Sequence, residues 1–236
     1  MKLCDLHTHV LPGVDDGAPT MEYALQMLQN AACSDVELLA VTPHFGGPYG
    51  FHADWKLRFA QLQQAAAHIP VKIVPGAELW MDGQGIEALE KGLVPTLNHG
   101  PYVLVEFSPN TAAARFGQGL RQILALGHTP LVAHPERYMA VCQSPQLVMD
   151  WLDMGCHVQL TGESVMGAYG KTVQHTAACL LKQGLVACIA SDAHGRSQRS
   201  NFLLDVYDHL CVRYDKGYAG CLLYENPMAI LHGEEV

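Results

Sequence analysis

The 236-residue chain is poor in charge, with Asp, Glu, Lys and Arg at 16% against 49% hydrophobic residues. Soluble domains carry roughly 25% charged residues, so much of this chain is buried and intrinsic disorder is excluded. Basic residues are the scarcer sign, 14 Lys and Arg to 23 Asp and Glu, for a formal net charge of -9. With no Lys/Arg run there is no basic footprint for nucleic acid. No apolar stretch approaches the roughly 18 residues of a membrane span, so insertion into a bilayer is not expected. The opening residues reach Asp5, His7 and His9 before any apolar run, and they are not expected to act as a signal peptide. The eight cysteines fall at irregular gaps without a Cys-x-x-Cys pair, so a disulfide framework is not expected. They read as free thiols filling the core of a cytoplasmic protein.

What the chain does have is histidine, 13 residues in all. Its length suits a single domain, residues 1-236, and is compatible with a (β/α) barrel. Runs rich in Val, Ile and Leu predict strands at Lys2–His9, Val36–His44, Lys72–Leu79, Tyr102–Ser108, Pro130–Pro135, His157–Thr161 and Val186–Asp192. Amphipathic segments between them predict helices from Met21 (with Thr20 as N-cap) and over Asp54–His68, Ala112–Gly127, Pro145–Gly155, Thr172–Gly184 and Asn201–Lys216. Near-continuous apolar strands alternating with helices imply an α/β fold with a parallel sheet covered on both faces. His9, His44, Glu78, Glu106, His134, Thr161 and Asp192 close these strands at intervals of 35, 34, 28, 28, 27 and 31 residues. Each interval is one βα unit, so the strands deliver polar residues to their C-terminal ends, where barrel active sites lie.

Alternate residues of a strand share a face, so His7 and His9 can reach one cation together. Thr42-Pro43-His44, Gly76-Ala77-Glu78, Val105-Glu106, Ala133-His134-Pro135-Glu136-Arg137 and Ser191-Asp192-Ala193-His194 add imidazoles and carboxylates at later strand ends. A mixed nitrogen and oxygen set suits Mn, Fe or Zn. No residue six places after any cysteine is Arg. The Cys-x5-Arg class of phosphatases is thereby excluded.

His7-Thr8-His9, the Leu11–Gly17 stretch with Val14-Asp15-Asp16-Gly17, His134-Pro135-Glu136-Arg137-Tyr138 and Ser191-Asp192-Ala193-His194 resemble the polymerase-and-histidinol-phosphatase superfamily. Within it the chain is most similar to the bacterial manganese-dependent protein-tyrosine phosphatases of capsule and exopolysaccharide clusters. The resemblance runs from residue 3 to about residue 230. It implies a distorted (β/α)7 barrel with three metals, Mn2+ foremost, at the C-terminal ends of the strands. By motif, His7, His9, Glu78 and Asp192 hold one metal, and Glu78 bridges to a second held by Glu106 and His134. Asp16, His44 and His194 hold the third, whereas Asp15 lies one position off the pattern and is read as a loop residue. Three divalent ions against four carboxylates leave about +2, a surplus that a phosphate monoester neutralises. Arg137 and Arg199 match the phosphate-binding arginines of the family. Their planar forks take phosphate oxygens in pairs. A water activated on the metals is the implied nucleophile toward phosphorus.

The implied substrate is a phosphotyrosine protein, a membrane-associated tyrosine autokinase. The alternative is a phosphatase or phosphodiesterase acting on a small molecule such as histidinol phosphate. A metal-stabilised scaffold needs neither arginine, and neither does a C–N metallohydrolase. Phe45, Tyr49, Phe51, Trp55 and Trp80 follow ligand motifs, where they either stack on a substrate ring or pack the loops.

Overall fold

The apolar runs form parallel strands separated by helices, in a computed structural model that describes residues 1–195 and 203–236. The strands are β1 (Leu3–Asp5), β2 (Val36–Val41), β3 (His44–Phe45), β4 (Lys72–Pro75), β5 (Glu78–Trp80), β6 (Tyr102–Glu106), β7 (Thr129–Ala133), β8 (His157–Thr161) and β9 (Cys188–Ala190). They pair in two parallel sheets, β1-β2-β4 and β3-β5-β6-β7-β8-β9. An isolated parallel bridge, Thr8 to Ala193, sets the extension of β9 beside that of β1. There Asp192 N donates to His7 O at 2.9 Å and His9 N to Ala193 O at 2.9 Å.

Two expected strands are each interrupted. Val36–His44 breaks at Thr42-Pro43 into β2 and β3, and Lys72–Leu79 breaks at Gly76-Ala77 into β4 and β5. Pro43 has no N–H for a ladder. Its carbonyl accepts from Glu78 N at 3.0 Å, while Gly76 N donates to Val41 O at 3.0 Å. A Cβ on Gly76 would lie 2.9 Å from Leu97 Cδ2 and 3.0 Å from Thr42 Cγ2. The two neighbouring strands therefore jog together and then resume pairing.

The helices are α1 (Met21–Cys33), α2 (Trp55–Ala65), α3 (Gly83–Glu90), α4 (Ala113–Ala125), α5 (Met139–Gln143), α6 (Leu147–Asp153), α7 (Gly162–Met166), α8 (Lys171–Lys182), α9 (Leu203–Arg213), α10 (Lys216–Gly220) and α11 (Asn226–His232), with a π-helical turn at Cys221–Glu225. Thr20 Oγ1 accepts from Tyr23 N at 3.3 Å and starts α1. Gly127, Gly155 and Gly184 follow the ends of α4, α6 and α8 with φ of 82°, 90° and 68°, the left-handed conformation that ends helices. Residues 201–202 of the expected helix Asn201–Lys216 lie outside the described residues.

Alternation along the strands divides the interior. Val103 and Val105 of β6 join the layer beneath the helices, with Leu28, Leu62, Phe116 and Leu180. Tyr102 and Leu104 face the other way, into a cluster with Leu6, Leu38, Leu131, Ala190 and, from α11, Ile230 and Leu231. Helix α11 covers the N-terminal ends of the strands, where Tyr102 Oη donates to Glu234 O at 2.8 Å and Asn98 Nδ2 to Leu231 O at 2.9 Å. The polar residues are left to the opposite end. All eight cysteines are free, with Cys4, Cys156 and Cys188 buried. No helix among the described residues is long and apolar enough to cross a membrane.

Candidate metal and phosphate site

At the C-terminal ends of the strands the backbone leaves regular geometry where it delivers site residues. His134 follows β7 with φ 35° and Asp192 follows β9 with φ 53°, both left-handed. Such a conformation costs a non-glycine residue about 1–3 kcal/mol, and the surroundings must over-determine it. They do. His134 N donates to Gln159 O at 2.8 Å, and Asp192 N is held by His7 O. The Tyr138 hydroxyl donates to Ala133 O at 2.8 Å and accepts from Phe107 N at 3.0 Å, tying the ends of β6 and β7. Buried Glu136 accepts from Thr161 N at 2.9 Å. In His134-Pro135-Glu136-Arg137-Tyr138, then, His134 and Arg137 line the pocket while Glu136 and Tyr138 brace the fold.

The imidazoles and carboxylates converge. His7 Nε2 and His9 Nε2 are 3.1 Å apart and lie 3.1 Å and 3.3 Å from Glu78 Oε2. Both also lie 3.5 Å from Asp192 Oδ1. His134 Nε2 is 3.0 Å from Glu78 Oε1 and 3.7 Å from Glu106 Oε1. His44 Nδ1 is 3.0 Å from Glu78 Oε2 and 3.5 Å from Glu106 Oε2, while its Nε2 is 3.6 Å from Asp16 Oδ1. His194 Nε2 lies 3.3 Å from the same Asp16 oxygen. The structure therefore brings all nine expected ligands into one cluster. Its grouping differs in two respects: His44 reaches both the Glu78–Glu106 pair and the Asp16–His194 pair, and His9 gathers with Asp16, His44 and His194 as well as with His7 and Glu78.

The donor chemistry fits cations. Gln159 Nε2 donates to Leu160 O at 2.6 Å, so Gln159 Oε1 faces His7 Nδ1 at 2.9 Å and fixes the proton there. Asp15 Oδ2 does the same for His9 Nδ1 at 2.8 Å, and Asp192 O for His194 Nδ1 at 2.8 Å. Each ring so turns its Nε2 toward the carboxylates; burial opposes a second proton there, but Glu78 and Asp192 raise the pKa of His7, and Asp15 that of His9. Glu78 Oε2 and Glu106 Oε2 are buried without a hydrogen-bond donor. Burial, and then the charge of Glu78, push the Glu106 carboxyl up to about 9. Burial also works against the Glu78 charge, but His7 and His44 outweigh it and hold that carboxyl well below the usual range. Burial and then Arg137 push His134 down to about 4. Imidazole nitrogens and carboxylates crowded into a dry site are a donor set whose charge divalent cations would balance in place of protons.

Asp15 is more than a loop residue. Its carboxylate is fully buried and also accepts from His44 N at 3.0 Å and Gly17 N at 3.0 Å. It thus joins two ligand loops and orients His9, the carboxylate–histidine arrangement that raises ligand basicity. Gln159 plays the same part for His7. Neither role is legible in the sequence, where the acidic pair Asp15-Asp16 is the available signal for one and a buried-strand glutamine offers none. Asp15→Asn is expected to weaken metal affinity 10- to 100-fold while leaving the fold intact, measured by competitive metal titration. An unchanged affinity would reduce Asp15 to a loop brace.

Arg137 lies at the rim with its side chain 20% exposed, donating to Asp192 Oδ2 at 2.6 Å and lying over the Tyr169 ring at 5.0 Å. Arg199 lies outside the described residues. The pocket encloses about 260 Å³ and is walled by Pro48, Tyr49, Trp80 and Arg137 above the ligand cluster. Tyr49 stacks on His44, 4.2 Å between centroids at 5°. Phe45 is buried in the core. Phe51 and Trp55 line a separate cleft with His52 and Leu93.

Comparison with known proteins agrees with this geometry. The chain is 32% identical over 241 residues to tyrosine-protein phosphatase CpsB of Streptococcus pneumoniae, covering 97% of this chain and 98% of that one. It matches a chain from the crystal structures of YwqE of Bacillus subtilis and CpsB of S. pneumoniae, metal-dependent tyrosine phosphatases, with TM-score 0.91 and 26% identity over 99% and 96% of the two chains. Histidinol phosphate phosphatase of Lactococcus lactis shares the fold alone, with TM-score 0.60 and 12% identity over 93% and 94%. With a family model matched along residues 3–232, this chain belongs to the capsular polysaccharide synthesis family CpsB/CapC.

Proposed function

We propose that residues 1–236 act as one domain and hydrolyse phosphotyrosine on a protein substrate, with Mn2+ as the working metal and a cytoplasmic location. The observation that carries this reading is the placement of Arg137 on the wall of the nine-ligand cluster, in a family whose curated relatives are tyrosine-protein phosphatases. His7, His9, Glu78, Asp192, Glu106, His134, Asp16, His44 and His194 would hold the metals. Bound divalent ions supply Lewis-acid polarisation of phosphoryl oxygens and bring water toward ionisation near neutral pH.

The protein's own groups do the rest. The Asp192 bond uses one of the five N–H donors of Arg137, and the others, on the pocket wall, are proposed to hold phosphate oxygens. Arg199 is proposed as the second phosphate-holding arginine. Tyr49 and Trp80 give the pocket aromatic walls against which an aryl leaving group packs. The proposed substrate is a tyrosine autokinase at the membrane, in keeping with the capsule-synthesis family.

Charge-assisted contacts contribute about 1.5–3 kcal/mol. Arg137→Ala is therefore expected to lower kcat/KM for a phosphotyrosyl peptide roughly ten- to a hundredfold. Lysine at the same position restores part of the loss, because a point charge replaces the fork. Steady-state kinetics with inhibition by inorganic phosphate, on variants of measured metal content, checks this. Wild-type kcat/KM and phosphate affinity in the alanine variant would remove the phosphate-binding role.

A further inference from the structure

Away from the metal cluster, helices α8 and α9 each bring one cation and one histidine to a shared groove, Lys171 and His175 from α8, His209 and Arg213 from α9. The members of each pair stand one turn apart. All four are exposed and line a groove of about 560 Å³ floored by Val165, Ala178 and Leu181, with Gln174 and Tyr214 at its sides. No Asp or Glu lines it, in a chain whose acidic residues outnumber the basic by 23 to 14. Among the described residues, Lys171 and Arg213 have no carboxylate partner, although Lys91 and Arg58 on other helices are paired with acids one turn away. His175 Nε2 lies 3.5 Å from the Cys179 thiol. On α9 Asp205 stands one turn before His209, whereas α8 carries no acidic residue along its length.

From this charge complementarity we propose that the groove between α8 and α9 docks an acidic polypeptide segment. The void falls within the range of ligand sites, and its cations sit on both walls, so an extended chain can place carboxylates against each. A planar anionic bilayer is a poorer match. Exposed Asp205, Asp208 and Asp215 stand on and after α9 beside His209 and Arg213 and would meet the headgroups with like charge.

The test uses the metal-loaded full chain and a fluorescein-labelled octaglutamate peptide, read by anisotropy. Saturable binding is expected at low ionic strength, falling steeply as salt is raised. Lys171→Glu/Arg213→Glu should weaken it at least tenfold, and Lys171→Gln/Arg213→Gln by a smaller factor. Turnover of p-nitrophenyl phosphate should be unchanged in both variants, which separates this inference from the phosphatase reading. Peptide binding absent, or equal in wild type and the charge-reversed variant, overturns the proposal. Co-sedimentation with phosphatidylserine vesicles that the charge reversal abolishes, without peptide binding, overturns it in favour of a membrane surface.

Discussion

Stripping divalent cations from the protein with a chelator is expected to abolish hydrolysis of p-nitrophenyl phosphate, and Mn2+ to restore it. The reason lies in the pairing of His7 Nε2 with His9 Nε2 at 3.1 Å. Gln159 and Asp15 face the Nδ1 atoms of these rings, so both Nε2 atoms point at each other and at Glu78. A bound cation would take the place of the protons that the carboxylates draw onto these rings, and its charge is what makes water reactive at neutral pH. Imidazole-rich donors favour Mn2+, Fe2+ or Zn2+ over Mg2+, which keeps an oxygen shell. Reconstitution should follow that preference. The melting temperature should rise with added metal, since only the folded chain offers the assembled site. Full turnover in protein shown by elemental analysis to be metal-free would end this mechanism.

Glu78→Gln should be nearly as damaging. One carboxylate faces four imidazoles, with Oε1 3.0 Å from His134 and Oε2 3.0 Å, 3.1 Å and 3.3 Å from His44, His7 and His9. Glutamine keeps the shape but replaces one oxygen with an NH2 group that cannot ligate, removing a charge that the cations need. The loss in turnover should exceed the 10- to 100-fold typical of changes behind the ligands, with metal stoichiometry falling in parallel. Thermal melting of metal-free wild type and variant, read beside metal content, separates loss of metal from loss of fold. A variant that retains its full metal content and turns over within tenfold of wild type would show that Glu78 does not bridge the cluster.

Much of this site is legible in the chain because strand geometry is local. A parallel strand ends where its apolar run ends, and the polar residue that follows lands at the shared face. His9, His44, Glu78, Glu106, His134 and Asp192 could thus be assembled from spacing alone. Tyr49 and Phe51 show the limit of that logic. Two residues apart in one loop, the first stacks on His44 at the pocket and the second turns to another cleft.

The sequence by itself determined the parallel α/β order, the capped start of α1, the glycine stops after α4, α6 and α8, and the residues gathered at the strand ends. All of these depend on period, backbone freedom or a neighbour a few residues away. Only the tertiary structure decided the paired breaks at Pro43 and Gly76, the double reach of His44, and the roles of Asp15 and Gln159. Gln159 meets His7 across 152 positions, and Asp15 takes its hydrogen bond from His44 N across 29. Such contacts arise when strands distant in sequence are set side by side. No local period records them, because a hydrogen bond across a fold depends on where two backbones end up and not on what lies between them.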